Sequence, residues 1–170
     1  GIYGTLFLFG VIVSVPARSF KGLAVSVLSK SINRGDMEEV KNVYQKSSIT
    51  LLVIGIFLFL GIITNEFLIF SYLPEAFGDG FYIIFFIGLA QLSDLATGVN
   101  NEILATSKYY RLNTYFILIS IVVAMVSNIV FIPLYEITGA AIATFCSVFA
   151  INMLRLYAIW KIYKISPFSK

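Results

Sequence analysis

In the stretch PARSFKG, residues 16 to 22, Arg18 and Lys21 stand three residues apart inside a run that is otherwise apolar or small from Ile2 to Ser29. A second such run, Phe81 to Leu104, carries Gln91, Asp94, Asn101 and Glu102, and a later one carries Asn152 and Arg155. An isolated charge at the centre of a bilayer costs about 2.5–3.5 kcal/mol on insertion scales, so embedded charges pair, line a wet cavity or reach an interface. The chemistry open to such a set is electrostatic: cations hold an anionic group, and carboxylates balance the cations when that group is absent. Zinc chemistry and His-assisted nucleophilic chemistry are closed to this chain. It has no His and a single cysteine, Cys146, so neither a zinc site nor a Cys–His or Ser–His pair can be assembled within it. Cys146 lies among small apolar residues and reads as packing, and a disulfide framework is excluded. No catalytic residue, metal or cofactor is expected.

The elements that position these groups follow from hydropathy. Of 170 residues 59% are hydrophobic and only 12% charged, against about 25% charged in a soluble domain. Mean hydropathy is +0.91, and so little polar surface implies that the solvent is largely lipid. Five apolar segments are separable, at about residues 2–29, 47–70, 81–104, 112–132 and 137–163. Each has the roughly 20 residues that a helix needs to cross the hydrocarbon core, so the expected fold class is an all-α membrane protein with five transmembrane helices. Pro133 closes the fourth segment, and Pro74 with Gly78 and Gly80 breaks the chain between the second and third. No initiator Met and no signal peptide precede the first segment, and the chain is expected to be a piece of a longer protein.

Charge placement sets the expected orientation. Lys30, Arg34, Lys41 and Lys46 lie between the first two segments, Lys108 and Arg111 between the third and fourth, and Lys161, Lys164 and Lys170 at the C-terminal end. The alternate connections carry Glu75, Asp79 and Glu136 without a basic residue. The positive-inside rule then puts the N-terminus outside and the C-terminus in the cytoplasm. Asp36 with Glu39 resembles a capping box, and Met37, Val40, Val43 and Tyr44 recur at helical spacing, which predicts an amphipathic helix over about 36–46 running into the second segment. Its basic residues are read as facing lipid headgroups, so membrane lipids and not nucleic acid are the expected partners.

Depth and facing narrow the candidates. At 1.5 Å per residue Arg18 lies about 24 Å below Ile2, Lys21 about 28 Å below it, and Asp94 about 20 Å below Phe81. Pro16, just upstream, is positioned to kink the first helix. On a continuous helix Gln91, Asp94, Gly98, Asn101 and Glu102 fall within an arc of about 100°, a stripe unsuited to lipid. A carboxylate cannot extend to the interface as far as lysine, so Asp94 demands a cation or water more firmly than Arg18 demands an anion. Asn113, Ser120 and Ser127 recur at seven-residue spacing, and Gly139, Ala143 and Ser147 at four-residue spacing, both read as helix-packing seams. Arg18, Lys21, Asp94 and Arg155 are therefore the candidate cavity residues, with Gln91, Asn101 and Glu102 as accessory polar groups. Snorkelling to headgroups and structural pairing remain the alternative fates of the same charges.

The runs NRGDMEEVKNVYQKSS, LLVIGIFLFLGI, GLAQLSDLATGVNNEILATSKYYRLNTYF and NIVFIPLYEITGAAIATFCSVF, in that order, resemble the C-terminal part of polysaccharide flippases. These belong to the multidrug/oligosaccharidyl-lipid/polysaccharide exporter superfamily, as O-antigen and capsule-repeat flippases do. The most specific piece is Pro133-x-Tyr135 followed by Gly139 to Thr144, and the tail KISPFSK is also similar. Glu136 stands where many members have Gly, and Val27 and Leu28 stand where many have a Pro. The resemblance implies two six-helix lobes around a central cavity, with these segments as part of the C-terminal, MATE-like lobe and the N-terminal lobe missing from the chain. It implies alternating access that carries an undecaprenyl-pyrophosphate-linked oligosaccharide across the bacterial cytoplasmic membrane for surface polysaccharide synthesis.

Other classes compete. A drug or cation antiporter of the same superfamily would use Asp94 or Glu102 for a coupling ion. A membrane-embedded polymerase or glycosyltransferase would need larger outer loops than Ser71 to Gly80 and Pro133 to Glu136 provide, so no enzyme is expected. A purely structural membrane subunit is the remaining class.

Overall fold

The computed structural model describes residues 1–74, 77 and 80–168. Glu75, Gly78, Asp79 and Lys170, which entered the reading of loops and charges, lie outside the described residues. Every regular element among those described is a helix: α1 Ile2–Val11, a 3₁₀ turn Ile12–Ser14, α2 Val15–Arg34, α3 Met37–Thr64, α4 Glu66–Ser71, α5 Phe81–Ala96, α6 Asn100–Thr106 and α7 Tyr110–Tyr163. Three stretches are long and apolar enough to cross a membrane: Ile2–Arg34, Met37–Thr64 and Tyr110–Tyr163. A fourth is reached if α5 and α6, bent by 53°, form one broken span.

The turn between α2 and α3 is built as the local sequence dictates. The chain leaves α2 at Gly35, whose φ is 75°, and Asp36 caps α3 by accepting the Glu39 N–H at 3.0 Å. The reciprocal arm of the capping box is not made. The Glu39 carboxylate instead accepts the Ser31 hydroxyl at 2.5 Å, tying the start of α3 to the last turns of α2. The amphipathic stretch and the second apolar segment are one helix, with Val40, Tyr44, Ser47, Ser48, Leu51 and Gly55 buried along it.

Breaks in the other helices carry more consequence. The first segment is interrupted at Ile12–Ser14, immediately before Pro16, which occupies the first turn of α2. Proline lacks an N–H to donate and suits a helix start, so the break falls ahead of it. The third segment is not the continuous helix assumed for its polar stripe. It stops at Ala96 and resumes at Asn100, with Gly98 at φ +59°. A side chain at Gly98 would collide with Ser47 and Ser48 of α3, so both the backbone angle and the close approach require glycine there.

Helix α7 has 54 residues, about 81 Å of helix against a hydrocarbon core of about 30 Å. It is kinked at Glu136, where φ is 49° and ψ is −125°, one turn after Pro133. The kink brings Gly139 so close to the Phe131 carbonyl that a Cβ there would overlap it. Two arms result, residues 110–135 and 137–163.

Helix α5 packs against α1, α3 and α7, while α6 packs against α2 and α7. Three apolar clusters are layered along this bundle. Leu6, Ile83, Ile84, Ile87 and Ala141 form one end; Val13, Ala17, Leu51 and Leu95 the middle; and Leu28, Val40, Tyr44, Val99, Ile103, Leu104, Ile159 and Ile165 the other end. The face Gly139, Ala143, Ser147 is buried, as its spacing predicts for close helix contact. Large apolar side chains such as Phe57, Val122, Met125 and Ile129 are exposed on the perimeter, as expected of helices solvated by lipid.

Glu136 occupies a backbone region that side chains other than glycine enter only at a cost of about 1–3 kcal/mol. Glu136→Gly is therefore expected to raise the thermal unfolding temperature in detergent, and Gly139→Ala to lower it, both read by scanning fluorimetry.

Candidate functional site

The buried polar groups gather between the middle cluster and the α3–α6 end, where α2, α5, α6 and both arms of α7 meet. Lys21 on α2 donates to Asp94 Oδ2 on α5 at 2.6 Å, with the two side chains 17% and 29% exposed. The other Asp94 oxygen, Oδ1, accepts Asn152 Nδ2 at 3.3 Å. Asn152 is fully buried on the second arm of α7, and its Oδ1 accepts Asn100 Nδ2 from α6 at 3.1 Å. One hydrogen-bonded chain thus links four helices through a single carboxylate.

A second chain runs beside the first. Arg155 Nε donates to Asn113 Oδ1 at 3.1 Å, joining the two arms of α7. Asn113 Nδ2 donates to Asn101 Oδ1 at 3.1 Å, and Asn101 Nδ2 reaches Glu102 Oε1 at 3.4 Å. Asp94 and Glu102 are the carboxylates that act electrostatically on Arg155. The chains are adjacent because Asn100 and Asn101 are neighbours on α6, while Asn152 and Arg155 are three residues apart on α7.

The break in the third segment makes this possible. On a straight helix Asp94 and Asn101, seven residues apart, would share a face and a partner. The bend at Thr97–Val99 leaves Asp94 facing Lys21 and Asn152, while α6 directs Asn100 to Asn152 and Asn101 to Asn113. Two cations, Lys21 and Arg155, and two carboxylates, Asp94 and Glu102, leave the cluster balanced in formal charge. Two oxygens in it remain without a hydrogen-bond partner in their buried positions: Asn100 Oδ1 and Glu102 Oε2. Such a cluster has spare acceptor capacity, and each cation is held by a group that an incoming anion would have to displace or share.

Of the residues singled out by type and spacing, Lys21, Asp94, Arg155, Asn101 and Glu102 come together. Gln91 is half-buried one turn before Asp94 and takes no part in either chain. Arg18 stands apart: it is exposed and borders an apolar groove with Thr5, Leu8, Phe9, Val11, Ile12 and Val15. Asn100, Asn113 and Asn152 are the members that the sequence reading did not assign to the site. The seven-residue spacing of Asn113 with Ser120 and Ser127 reads as a packing seam, yet Asn113 is the direct partner of Arg155. Ser120, on the same seam, donates to its own helix at the Ile117 carbonyl. Among the described residues no group of three or more acidic or cysteine side chains is placed to hold a metal ion.

No family model, curated protein or solved structure matches this chain.

A part-buried ion pair that also anchors an amide is expected to be strongly coupled. Asp94→Asn and Lys21→Met should each cost about 1–3 kcal/mol. The double variant should cost less than the sum of the two, as measured by a double-mutant cycle on unfolding in detergent.

Proposed function

We propose that this chain is part of a membrane transporter and that its charged cluster handles an anionic headgroup, in the manner of the polysaccharide flippases that the sequence resembles. In this reading the kinked α7 provides two crossings, which with Ile2–Arg34, Met37–Thr64 and the broken α5–α6 span makes five. They form part of a MATE-like C-terminal lobe, set in the bacterial cytoplasmic membrane with the N-terminus outside and the C-terminus in the cytoplasm. An N-terminal lobe of the same protein completes the cavity. The cargo is a lipid-linked oligosaccharide bearing pyrophosphate, moved between leaflets by alternating access.

The observation that carries the reading is the balanced cluster Lys21–Asp94–Asn152–Asn100 with Arg155–Asn113–Asn101–Glu102, set in an otherwise apolar bundle. A pyrophosphate crossing a low-dielectric region needs compensating cations. Lys21, held by a part-buried contact to Asp94, and Arg155, held by a neutral amide, supply them without leaving a net charge in the resting cluster. The connections Ser71 to Gly80 and Pro133 to Glu136 are short in sequence, which supports transport over catalysis. Glu102 Oε2, buried and unpartnered, favours one second reading, a cation-coupled antiporter of the same superfamily. Flux in liposomes that follows a proton or sodium gradient with a small cationic substrate would select it.

The test uses the full-length protein at matched expression. Lys21→Gln with Arg155→Gln is expected to reduce surface polysaccharide roughly tenfold or more, the equivalent of losing one charge-assisted contact. Undiminished export in that variant would overturn the proposal.

A further inference from the structure

Of the two cations in PARSFKG, Arg18 is the one that the cluster does not use. The only ion pair among the described residues is Lys21 with Asp94, and Arg18 lies exposed one turn earlier on the same helix. It borders an open groove of about 460 Å³ along this helical stretch, lined also by Thr5, Leu8, Phe9, Val11, Ile12 and Val15. Leu8, Ile12 and Val15 are 64%, 43% and 53% exposed, so this face is not covered by any other element.

Two physical facts limit what covers it. From Leu8 to Arg18 is about 15 Å along the helix, half of a hydrocarbon core of about 30 Å and so the depth of one leaflet. And a guanidinium on a membrane-spanning helix, with no carboxylate to meet it, is stabilised by phosphate, which it binds with two parallel N–H donors. A soluble anion matches the cation and ignores the wall. A neutral hydrocarbon matches the wall and leaves the guanidinium bare. We infer that this groove is a binding site for one anionic phospholipid of the surrounding leaflet, its phosphate on Arg18 and an acyl chain along Val15, Ile12 and Leu8. The inference stands apart from the transport proposal, since it concerns a resident lipid and uses none of the cluster residues.

The full-length protein, purified in mild detergent, is titrated with phosphatidylglycerol or with phosphatidylcholine, and retained lipid is counted by native mass spectrometry. Phosphatidylglycerol is expected to be retained preferentially. Arg18→Gln should weaken that retention roughly tenfold, and Ile12→Trp, which fills the groove, should weaken it as well. Lys30→Gln, a change of an exposed cation outside the groove, and Leu23→Trp, a bulky change on an exposed position, should leave retention as it was. Soluble glycerol phosphate should not displace the lipid. Equal retention of the two lipids, unchanged retention in both groove variants, or displacement by glycerol phosphate as effectively as by lipid would each overturn the site. Folding of every variant is checked by its unfolding temperature without added lipid; if both groove variants fail to fold, an Arg18→Lys chain that retains the lipid at wild-type strength overturns the bidentate phosphate contact and with it the proposal.

Discussion

Lys21 and Asp94 meet at 2.6 Å across helices separated by seventy-three positions in the chain, and much of the bundle's arrangement is a consequence of bringing them together. A carboxylate on a short side chain in an apolar span has few remedies: it cannot reach the headgroups, and it is too costly to leave alone. α2 must therefore lie against the α5–α6 region, and it does, packing on α6 while the 3₁₀ turn before it packs on α5. The same carboxylate fixes Asn152, and through it Asn100, so that the second arm of α7 is held in register with the break in the third span. The pairing also decides the fate of the two cations in PARSFKG. Lys21 turns inward to a protein partner, and Arg18 is left facing outward.

Irregular backbone is what converts a stripe of polar residues into a network. A membrane offers exposed N–H and C=O groups no water, so interruptions of a spanning helix persist where neighbours cover them. Ser47 and Ser48 press on Gly98 at the α5–α6 bend, Ser14 bonds the Val11 carbonyl at the first break, and the Phe131 carbonyl lies over Gly139 at the α7 kink. The bend after Ala96 and the kink at Glu136 change the facing of the residues that follow them. Without the bend, Asp94 and Asn101 would compete for one neighbour; with it, they serve Lys21 and Asn113 separately.

What the sequence makes legible divides along the same line. Hydropathy gives the helical class and the long apolar stretches, because burial in lipid acts on composition. Asp36 as the cap of α3 and the small-residue face of α7 are readable because they depend on residues a turn apart. Asp94 needing a cation is readable from side-chain length and depth alone. The choice of Lys21 over Arg18 is not, since it rests on how α2 is rotated against its neighbours in the bundle. Nor is the role of Asn113, whose seven-residue spacing with Ser120 and Ser127 points to a packing seam, whereas the kink at Glu136 folds Arg155 back onto it. The strained backbone at Glu136 has no local signal beyond Pro133, which stands three residues before it.

Exchange of the paired charges tests the central contact most directly. In the chain bearing Lys21→Asp together with Asp94→Lys, folded protein extracted from membranes should recover to near the unmodified level, while each single reversal alone, placing two like charges together, should lose most of it. An exchanged chain no better folded than the single reversals, or single reversals folded as well as the original, would contradict the pairing on which the arrangement of α2, α5 and α7 depends.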